Sequence, residues 1–310
     1  MTRYLNGVIS GLKANNIDFE VVRPQKAGLR AKYFQYPLLT WKKRKNKGKH
    51  LIISERYAYL IPFMHASSIV VCHDLHTLYE QAKTPRIHQQ LYRWFLNKMF
   101  KANHVICISE HTKSDLLRFV PKFSKHHDLR VIHNGIEPFW SYKERVTNSH
   151  QALNDLFESG KVLISIGTDA WYKNTHWSLM LLAELPESFQ LLRIGTFSQS
   201  NEELIEEHNL RNRITQLEGI SDTDLKFCYQ NANALLFPSI SEGFGWPACE
   251  AALSNCPVVA NYQKPLSEVF PNKELIVELD NAKTRLMEGK LPRKEFHIAS
   301  WDTQVLQLIL

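Results

Sequence analysis

The chain holds 310 residues, enough for two domains of ordinary size. Apolar residues make up 44% and charged residues 22%, so a soluble globular fold is expected; no run of 18 or more uncharged apolar residues is present, which excludes a membrane-spanning helix. The net charge of +7 is unevenly split: residues 1–150 carry 25 Lys and Arg against 10 Asp and Glu, a net +15, and the remainder 13 against 21, a net −8. Such an asymmetry predicts a domain boundary near residue 150.

The first turn of sequence, Met1-Thr2-Arg3-Tyr4-Leu5-Asn6, lacks a signal-peptide layout. Five scattered cysteines (Cys72, Cys107, Cys228, Cys249, Cys256) lack C-x-x-C spacing and sit largely in apolar runs. Reduced, buried thiols in a cytoplasmic protein are the expectation. The basic half suits an anionic membrane surface or a phosphorylated acceptor, placing the protein peripherally at the inner face of a membrane. Nucleic acid is set aside because no nucleic-acid-binding motif is present. The densest basic patch, Trp41 to His50, reads equally well as a solvated loop.

In chain order, Tyr4, Leu5, Val8, Ile9 and Leu12 recur at helical spacing and predict a helix over 3–13. Phe19-Glu20-Val21-Val22 predicts a short strand. Leu51-Ile52-Ile53 and Ser68-Ile69-Val70-Val71-Cys72 read as buried parallel strands, the second ending at His73-Asp74. An amphipathic helix is expected over 85–101, then a strand at 105–108, a helix capped by Ser109, and a strand at Val131-Ile132 stopped by Asn134-Gly135. Residues 138–150 mix Pro, Trp and charge and read as a linker. Beyond them strands are expected at 162–167, 191–195, 214–217, 234–237 and 257–260, with helices from about Trp177, over 202–208 and from Asp222. Two successive strand–helix alternations predict an α/β protein of two doubly wound domains, with ligands beyond the carboxyl ends of the strands.

Chemistry concentrates in Ser239-Ile240-Ser241-Glu242-Gly243-Phe244-Gly245-Trp246-Pro247-Ala248-Cys249-Glu250-Ala251. The pattern is a buried strand, a glycine-rich turn and a helix start, where unpaired backbone N–H groups suit phosphates and the carboxylates suit sugar hydroxyls. Glycines at such turns are common in any α/β protein. This segment, however, resembles the E-x7-E element of retaining glycosyltransferases of family 4, with Glu242 and Glu250 at its two glutamates and Gly243, Phe244, Gly245 and Pro247 between.

The resemblance extends across nearly the whole chain. Ile69-Val70-Val71-Cys72-His73-Asp74-Leu75 is similar to the family's V-V-x-x-H-D-L element, which implies that His73, with Asp74 nearby, serves the reacting sugar in an interdomain cleft. Ile166-Gly167-Thr168-Asp169-Ala170-Trp171-Tyr172-Lys173-Asn174 resembles the G-[R/T]-x-x-x-R-K-N loop, so Gly167, Thr168 and Lys173 are implied donor-diphosphate contacts. Tyr172 replaces an Arg there, and Thr168 stands where many members carry Arg, so one cationic contact is missing from the pattern. Leu217 to Ile220, with Gly219 and Ile220 foremost, is implied to line the nucleotide base. Asp222-Thr223-Asp224 could be read as a metal-binding pair, but it opens a helix and reads as ordinary N-terminal capping. No Walker A loop, H-E-x-x-H or G-x-S-x-G is present.

The implied fold is a pair of Rossmann-like domains facing across a cleft (GT-B): an acceptor-side domain over 1–148, a nucleotide-sugar domain over 149–295, and a C-terminal helix over 296–310 packing back toward the first. Because the family opens with a strand and a glycine-rich loop ahead of the helix that begins here at Arg3, the first domain is expected to lack its usual first strand, as an N-terminally truncated member. The implied activity is transfer of a hexosyl unit, mannose favoured, from a GDP-, UDP- or dTDP-sugar to a glycan or lipid-linked acceptor with retention. The setting would be cell-surface polysaccharide or lipopolysaccharide biosynthesis, with no metal and no cofactor. The alternative is a catalytically impaired relative that binds nucleotide or a partner protein.

Overall fold

The computed structural model describes residues 2–22, 34–43, 48–64, 67–147 and 150–309. The core of the basic patch (44–47) and the expected 148/149 boundary lie outside the described residues. The chain forms two compact units, Met1–Gly135 with Ala299–Leu310, and Ile136–Ile298.

The first unit is built on a four-stranded parallel sheet of β1 (His50–Ile52), β2 (Ser68–Cys72), β3 (His104–Cys107) and β4 (Leu129–Val131), in the order β1-β2-β3-β4. Ile69 to Cys72 are almost fully buried because both faces of β2 are covered, which is why it reads as a continuous apolar run. Helices α1 (Thr2–Ala14), α2 (Tyr36–Lys43), α3 (Arg86–Met99) and α4 (Glu110–Phe119) accompany the sheet. Tyr92, Phe95, Leu96 and Met99 turn one face of α3 into the core. Ser109 caps α4 by accepting from the Thr112 N–H at 3.0 Å, as its position ahead of an apolar-periodic stretch predicts.

The last helix, Trp301–Ile309, belongs to this unit and packs on α1. The approach is close: a Cβ on Gly7 would lie 2.1 Å from Trp301 Cε2, and one on Gly11 2.5 Å from the Trp301 carbonyl oxygen. Those two glycines lie one helical turn apart and open the groove that receives the indole.

The strand expected at Phe19–Val22 does not form. No strand among the described residues pairs with it, and Phe19, Val21 and Val22 are each more than a third exposed. β propensity without a neighbouring ladder is insufficient. Among the described residues no strand precedes β1.

The second unit carries a six-stranded parallel sheet: β5 (Lys161–Ile166), β6 (Phe189–Ile194), β7 (Ile214–Leu217), β8 (Ala234–Phe237), β9 (Val258–Ala260) and β10 (Ile276–Val277). Its order is β10-β9-β8-β5-β6-β7, and helices α5 (Gln151–Ser159), α6 (Thr175–Glu184), α7 (Gln199–Glu207), α8 (Asp222–Asn231) and α9 (Trp246–Leu253) accompany it. The chain builds outward from β5 through β6 to β7, then returns to the other side of β5 with β8. The point where the order reverses lies between β5 and β8, registered Leu163 to Ala234 and Ile164 to Leu235. Two parallel α/β sheets agree with the expected pair of Rossmann-like domains.

The stretch read as a linker, 138–150, is in part packed structure. Trp140 is 1% exposed and meets Tyr229 edge-on. The fully buried Lys226 donates to the Phe139 carbonyl at 2.5 Å, and the Tyr142 N–H donates to the Leu253 carbonyl. The mixture of Pro, Trp and charge that suggests a linker is here a strap held by two helices of the second unit.

Candidate functional site

In parallel α/β sheets ligands bind outside the carboxyl ends of the strands where the order reverses. In the second unit that place lies between the loops after β5 and β8. The first loop, Gly167 to Asn174, leads into α6 (Thr175–Glu184); the second, Pro238 to Gly245, leads into α9 (Trp246–Leu253). They are tied by the Ile240 N–H, which donates to the Tyr172 carbonyl at 2.8 Å, and by Asn174 Nδ2, 3.4 Å from the Pro238 carbonyl.

Lys173 and Glu242 meet at this junction. Lys173 Nζ lies 2.6 Å from Glu242 Oε1, and the two side chains are 16% and 12% exposed. The ammonium also sits 5.1 Å from the centroid of the Phe237 ring and 5.6 Å from that of Tyr172. Cation and carboxylate are thus partly dehydrated, where both act more strongly than in water. Glu242 borders a shallow recess with Ser239, Ser241, Asn261 and Gln263.

The backbone around the pair is glycine-dependent. Gly245, at φ +96°, begins α9, and Pro247 occupies the first turn, where its missing N–H costs nothing. Gly243 is half-buried and Phe244 buried. Glu250, further along α9, is 1% exposed, so it is held by the helix among core residues rather than displayed on the loop. Thr168 is exposed beside half-buried Gly167. Gly219, at φ +64°, is exposed with open space beside it; Ile220 next to it is half-buried. The following helix α8 (Asp222–Asn231) is capped by Ser221, which accepts from the Asp224 N–H, so Asp222 and Asp224 occupy the first turn. Among the described residues no cluster of His, Cys, Asp or Glu could hold a metal ion.

The sequence reading missed Arg193. It lies on β6 with 1% exposure, and its fork donates to Ser165 Oγ (2.9 Å), the Gly167 carbonyl (2.7 Å) and the Thr196 carbonyl (2.9 Å). Its Nε has no hydrogen-bond partner. All three acceptors are uncharged; burial lowers its pKa and nearby Asp169 opposes that shift. A guanidinium in this setting braces the Gly167 turn and leaves positive field beneath it. Asp169 is turned aside: burial alone would raise its pKa, but hydrogen bonds from Thr175, Ser198 and Asn201 hold it below the ordinary value. A cation amid the apolar run Leu191-Leu192-Arg193-Ile194 was the available signal, since Arg is almost never fully buried without cause.

In the first unit His73 and Asp74 follow β2 at the carboxyl end of the sheet. His73 Nε2 lies 2.7 Å from the Ile53 carbonyl, which can only accept, so Nε2 carries the proton and Nδ1 is the lone-pair nitrogen of the neutral ring. Tyr4 meets the imidazole edge-on at 4.8 Å, and Thr112 Oγ1 donates to the His73 carbonyl. Asp74 accepts from the His76 N–H, and its side chain is 42% exposed. Beneath them lies a second carboxylate that the sequence reading did not single out. Glu55, 4% exposed, is contacted by the His73 N–H (3.4 Å), Ser54 Oγ (3.3 Å) and Tyr92 OH (3.1 Å). Burial pushes its pKa up, with Asp74 adding to the rise and His73 and Arg56 opposing it.

Sequence comparison agrees with this architecture. The profile of the family described as "Glycosyltransferase Family 4" matches residues 3–138, and that of "Glycosyl transferases group 1" matches residues 147–285. The chain belongs to the group 1, family 4 glycosyltransferases. It is 26% identical over 231 residues to the O-antigen chain mannosyltransferase RfbU of Salmonella typhimurium, a match covering 73% of this chain and 60% of that protein. The matched stretch thus spans less than two thirds of that relative's length. Among solved structures, sucrose-phosphate synthase from Thermosynechococcus elongatus superposes with a TM-score of 0.71 at 20% identity, covering 99% of this chain and 88% of that one. Anabaena Alr3699/HepE, solved in complex with UDP and glucose, gives 0.63 at 14% identity, covering 97% and 83%. Both share the GT-B fold of paired Rossmann-like domains.

Proposed function

We propose that this chain transfers a hexosyl unit from a nucleotide diphosphate sugar to a glycan or lipid-linked acceptor in cell-surface polysaccharide or lipopolysaccharide biosynthesis. The observation that carries the reading is the Lys173–Glu242 pair at the reversal point of the second sheet. A cation that suits a leaving diphosphate beside a carboxylate that suits sugar hydroxyls supports the reading. The naming of RfbU as a mannosyltransferase supports mannose as the unit and GDP-mannose as the first donor to try, ahead of UDP- and dTDP-sugars. The complex of HepE with UDP supports a nucleotide-sugar donor in this fold.

In this mechanism negative charge grows on the leaving diphosphate while the sugar takes on oxocarbenium character. Lys173, the amides of Gly243 to Gly245 and the start of α9 stabilise that charge, and Arg193 braces the Gly167 turn from below. Glu242 holds sugar hydroxyls, and Gly219 and Ile220 line the base. The resemblance to the family assigns His73, with Asp74 nearby, to the reacting sugar. Attack proceeds on the face the diphosphate leaves, with the departing phosphate taking the acceptor's proton, so configuration is retained and no metal is required.

The test is incubation with GDP-mannose, UDP-glucose and dTDP-sugars, reading nucleoside diphosphate release with and without lipid-linked acceptor. Turnover sustained in chelator, with retained anomeric configuration, supports the reading. Donor binding without turnover supports the impaired relative instead, and an inverted product overturns the same-face step. A lipid-linked acceptor and the basic first half would suit work at the inner face of a membrane; no helix among the described residues is long and apolar enough to cross one.

A further inference from the structure

The turn that carries His73 and Asp74 rests on a buried carboxyl group whose hydrogens can be accounted for one by one. Glu55 is 4% exposed and follows closely on Ile53, whose carbonyl receives the His73 ring. Its Oε2 is met by the His73 N–H at 3.4 Å and by the Ser54 hydroxyl at 3.3 Å. Ser54 Oγ already accepts from the Arg56 N–H, so its own hydrogen is free for Glu55. Oε2 is therefore an acceptor.

Oε1 has a different setting. It lies 3.1 Å from the Tyr92 hydroxyl oxygen, which also lies 2.7 Å from the Asp74 carbonyl. A phenol has one hydrogen, and a backbone carbonyl can only accept. The shorter contact takes that hydrogen, so Tyr92 donates to Asp74. An ionised Glu55 would then set a carboxylate oxygen against a phenol oxygen with no hydrogen between them. Tyr92 is 3% exposed, so water does not relieve the conflict. A proton on Oε1 removes it: Glu55 donates to Tyr92, and Tyr92 donates to Asp74. The neutral acid satisfies each of these contacts, and the carboxylate leaves one unmade.

The groups packed around Glu55 are Cys72, His73 and Asp74 at the end of β2, Tyr92 on α3, and Arg56 beside it in the chain. Burial keeps the Tyr92 phenol protonated, and a hydrogen bond with Cys107 on β3, followed by burial, does the same for the Cys72 thiol. Arg56 is the one cation able to hold a carboxylate here, but it makes no hydrogen bond to Glu55. Its Nε is 3.6 Å from Oε1, its Nη2 donates to Thr77 Oγ1 at 3.1 Å, and its side chain is 48% exposed.

We propose that Glu55 is a neutral carboxylic acid in the folded protein, and that its proton fixes the turn bearing His73 and Asp74. Glu55 is a positioning residue: it grips the His73 N–H directly and the Asp74 carbonyl through Tyr92. When the proton leaves to solvent, the Tyr92 hydrogen swings to Oε1 and the Asp74 carbonyl loses its donor. The turn is held while the acid is neutral and released as pH rises through its folded-state pKa. The consequence for sugar transfer rests on the function proposed above; the protonation itself does not.

The experiment is difference infrared spectroscopy of the full chain, wild type against Glu55→Gln, across a pH series. At about pH 6 an exposed glutamate, with a pKa of about 4.3, is ionised. Wild type should there show the carbonyl stretch of a protonated carboxylic acid, and Glu55→Gln should lack it. Tyr92→Phe, which keeps the ring, should move that band to the position of an acid without a hydrogen bond. With isotope-labelled histidine, the His73 amide resonance should shift over the pH interval in which the band fades. It should stay fixed in Glu55→Gln, whose amide donates to Tyr92 and accepts from His73 at every pH. Wild-type kcat should fall at least about tenfold across the same interval with donor KM steady, and Glu55→Gln should show no such fall. Absence of the acid band, a band that survives in Glu55→Gln, a His73 amide that does not follow it, or a fall in kcat shared by Glu55→Gln overturns the proposal. A chain that transfers no sugar strikes the proposed function and leaves the infrared and amide outcomes to decide this inference.

Discussion

Replacing Glu242 by Gln separates donor binding from turnover. In the free protein Lys173 is held by the Glu242 carboxylate at 2.6 Å, with both side chains largely buried. A diphosphate must therefore take the ammonium from that carboxylate or share it. A hydrogen bond to a charged group contributes about 1.5–3 kcal/mol net and a neutral one about 1 kcal/mol. Replacing carboxylate by amide thus weakens the hold on Lys173 by about 1.4 kcal/mol, a factor of about ten. Glu242→Gln should bind a nucleoside diphosphate about tenfold more tightly than wild type, while Lys173→Met binds it at least about tenfold more weakly. Turnover should fall by an order of magnitude or more in both, because the amide is a poorer acceptor for sugar hydroxyls and the methionine supplies no charge to the leaving group. Calorimetric titration with GDP and UDP gives the affinities, and single-turnover transfer gives the rate. Glu242→Gln binding the diphosphate no more tightly than wild type would refute competition between carboxylate and phosphate for Lys173.

Arg193→Met should lower diphosphate affinity about tenfold while leaving nucleoside affinity unchanged, because it unbraces the Gly167 turn and not the base site; stability should move little, since lost hydrogen bonds offset the relief of a buried charge. Thermal shift with GDP against guanosine reads the difference, and equal losses for both ligands would refute the role. Gly195 has φ +127°, and a Cβ there would lie 2.4 Å from the Gly167 carbonyl oxygen, so Gly195→Ala should cost about 1–3 kcal/mol in urea unfolding from backbone strain alone, and a wild-type midpoint would count against it. Glu55 has a folded-state pKa above its ordinary 4.5, so its contribution to stability is complete below that value and is lost as pH rises through the folded value. Glu55→Gln should therefore gain stability over wild type as pH rises from 4 to 8, and a constant difference across that range would show that Glu55 does not titrate differently on folding. Burial pushes the Cys228 and Cys256 thiols up to about 12, so neither should react with a thiol reagent at neutral pH until the protein is unfolded; labelling of the native chain at either position would contradict their burial.

What the sequence disclosed depended on whether the signal was local. Ser68–Cys72, Val162–Ile166 and Ala234–Phe237 are legible because a strand covered on both faces must be apolar throughout, and Ser109 and Ser221 are legible because a helix start needs an acceptor for its unpaired N–H groups. The failures are places where packing decided. Phe19–Val22 has strand composition but no ladder to join, and Pro138–Trp140 has loop composition but is held by Lys226 and Ser254. The candidate site lies between these cases. Lys173 and Glu242 each stand out within a short motif, yet they are 69 residues apart, and nothing local says that they touch. They meet because β8 returns beside β5 after β6 and β7 have been laid on its other side, which brings the two following loops to one junction. Arg193 follows from the same topology. It projects from β6, the other neighbour of β5, so the turn after β5 is held on one side by the loop after β8 and on the other by a buried guanidinium. The loop sequence lacks an arginine where the family carries one, at Tyr172. Arg193, on a neighbouring strand, holds the turn from below through the Gly167 carbonyl, so the shape of that turn depends on the sheet as well as on the motif.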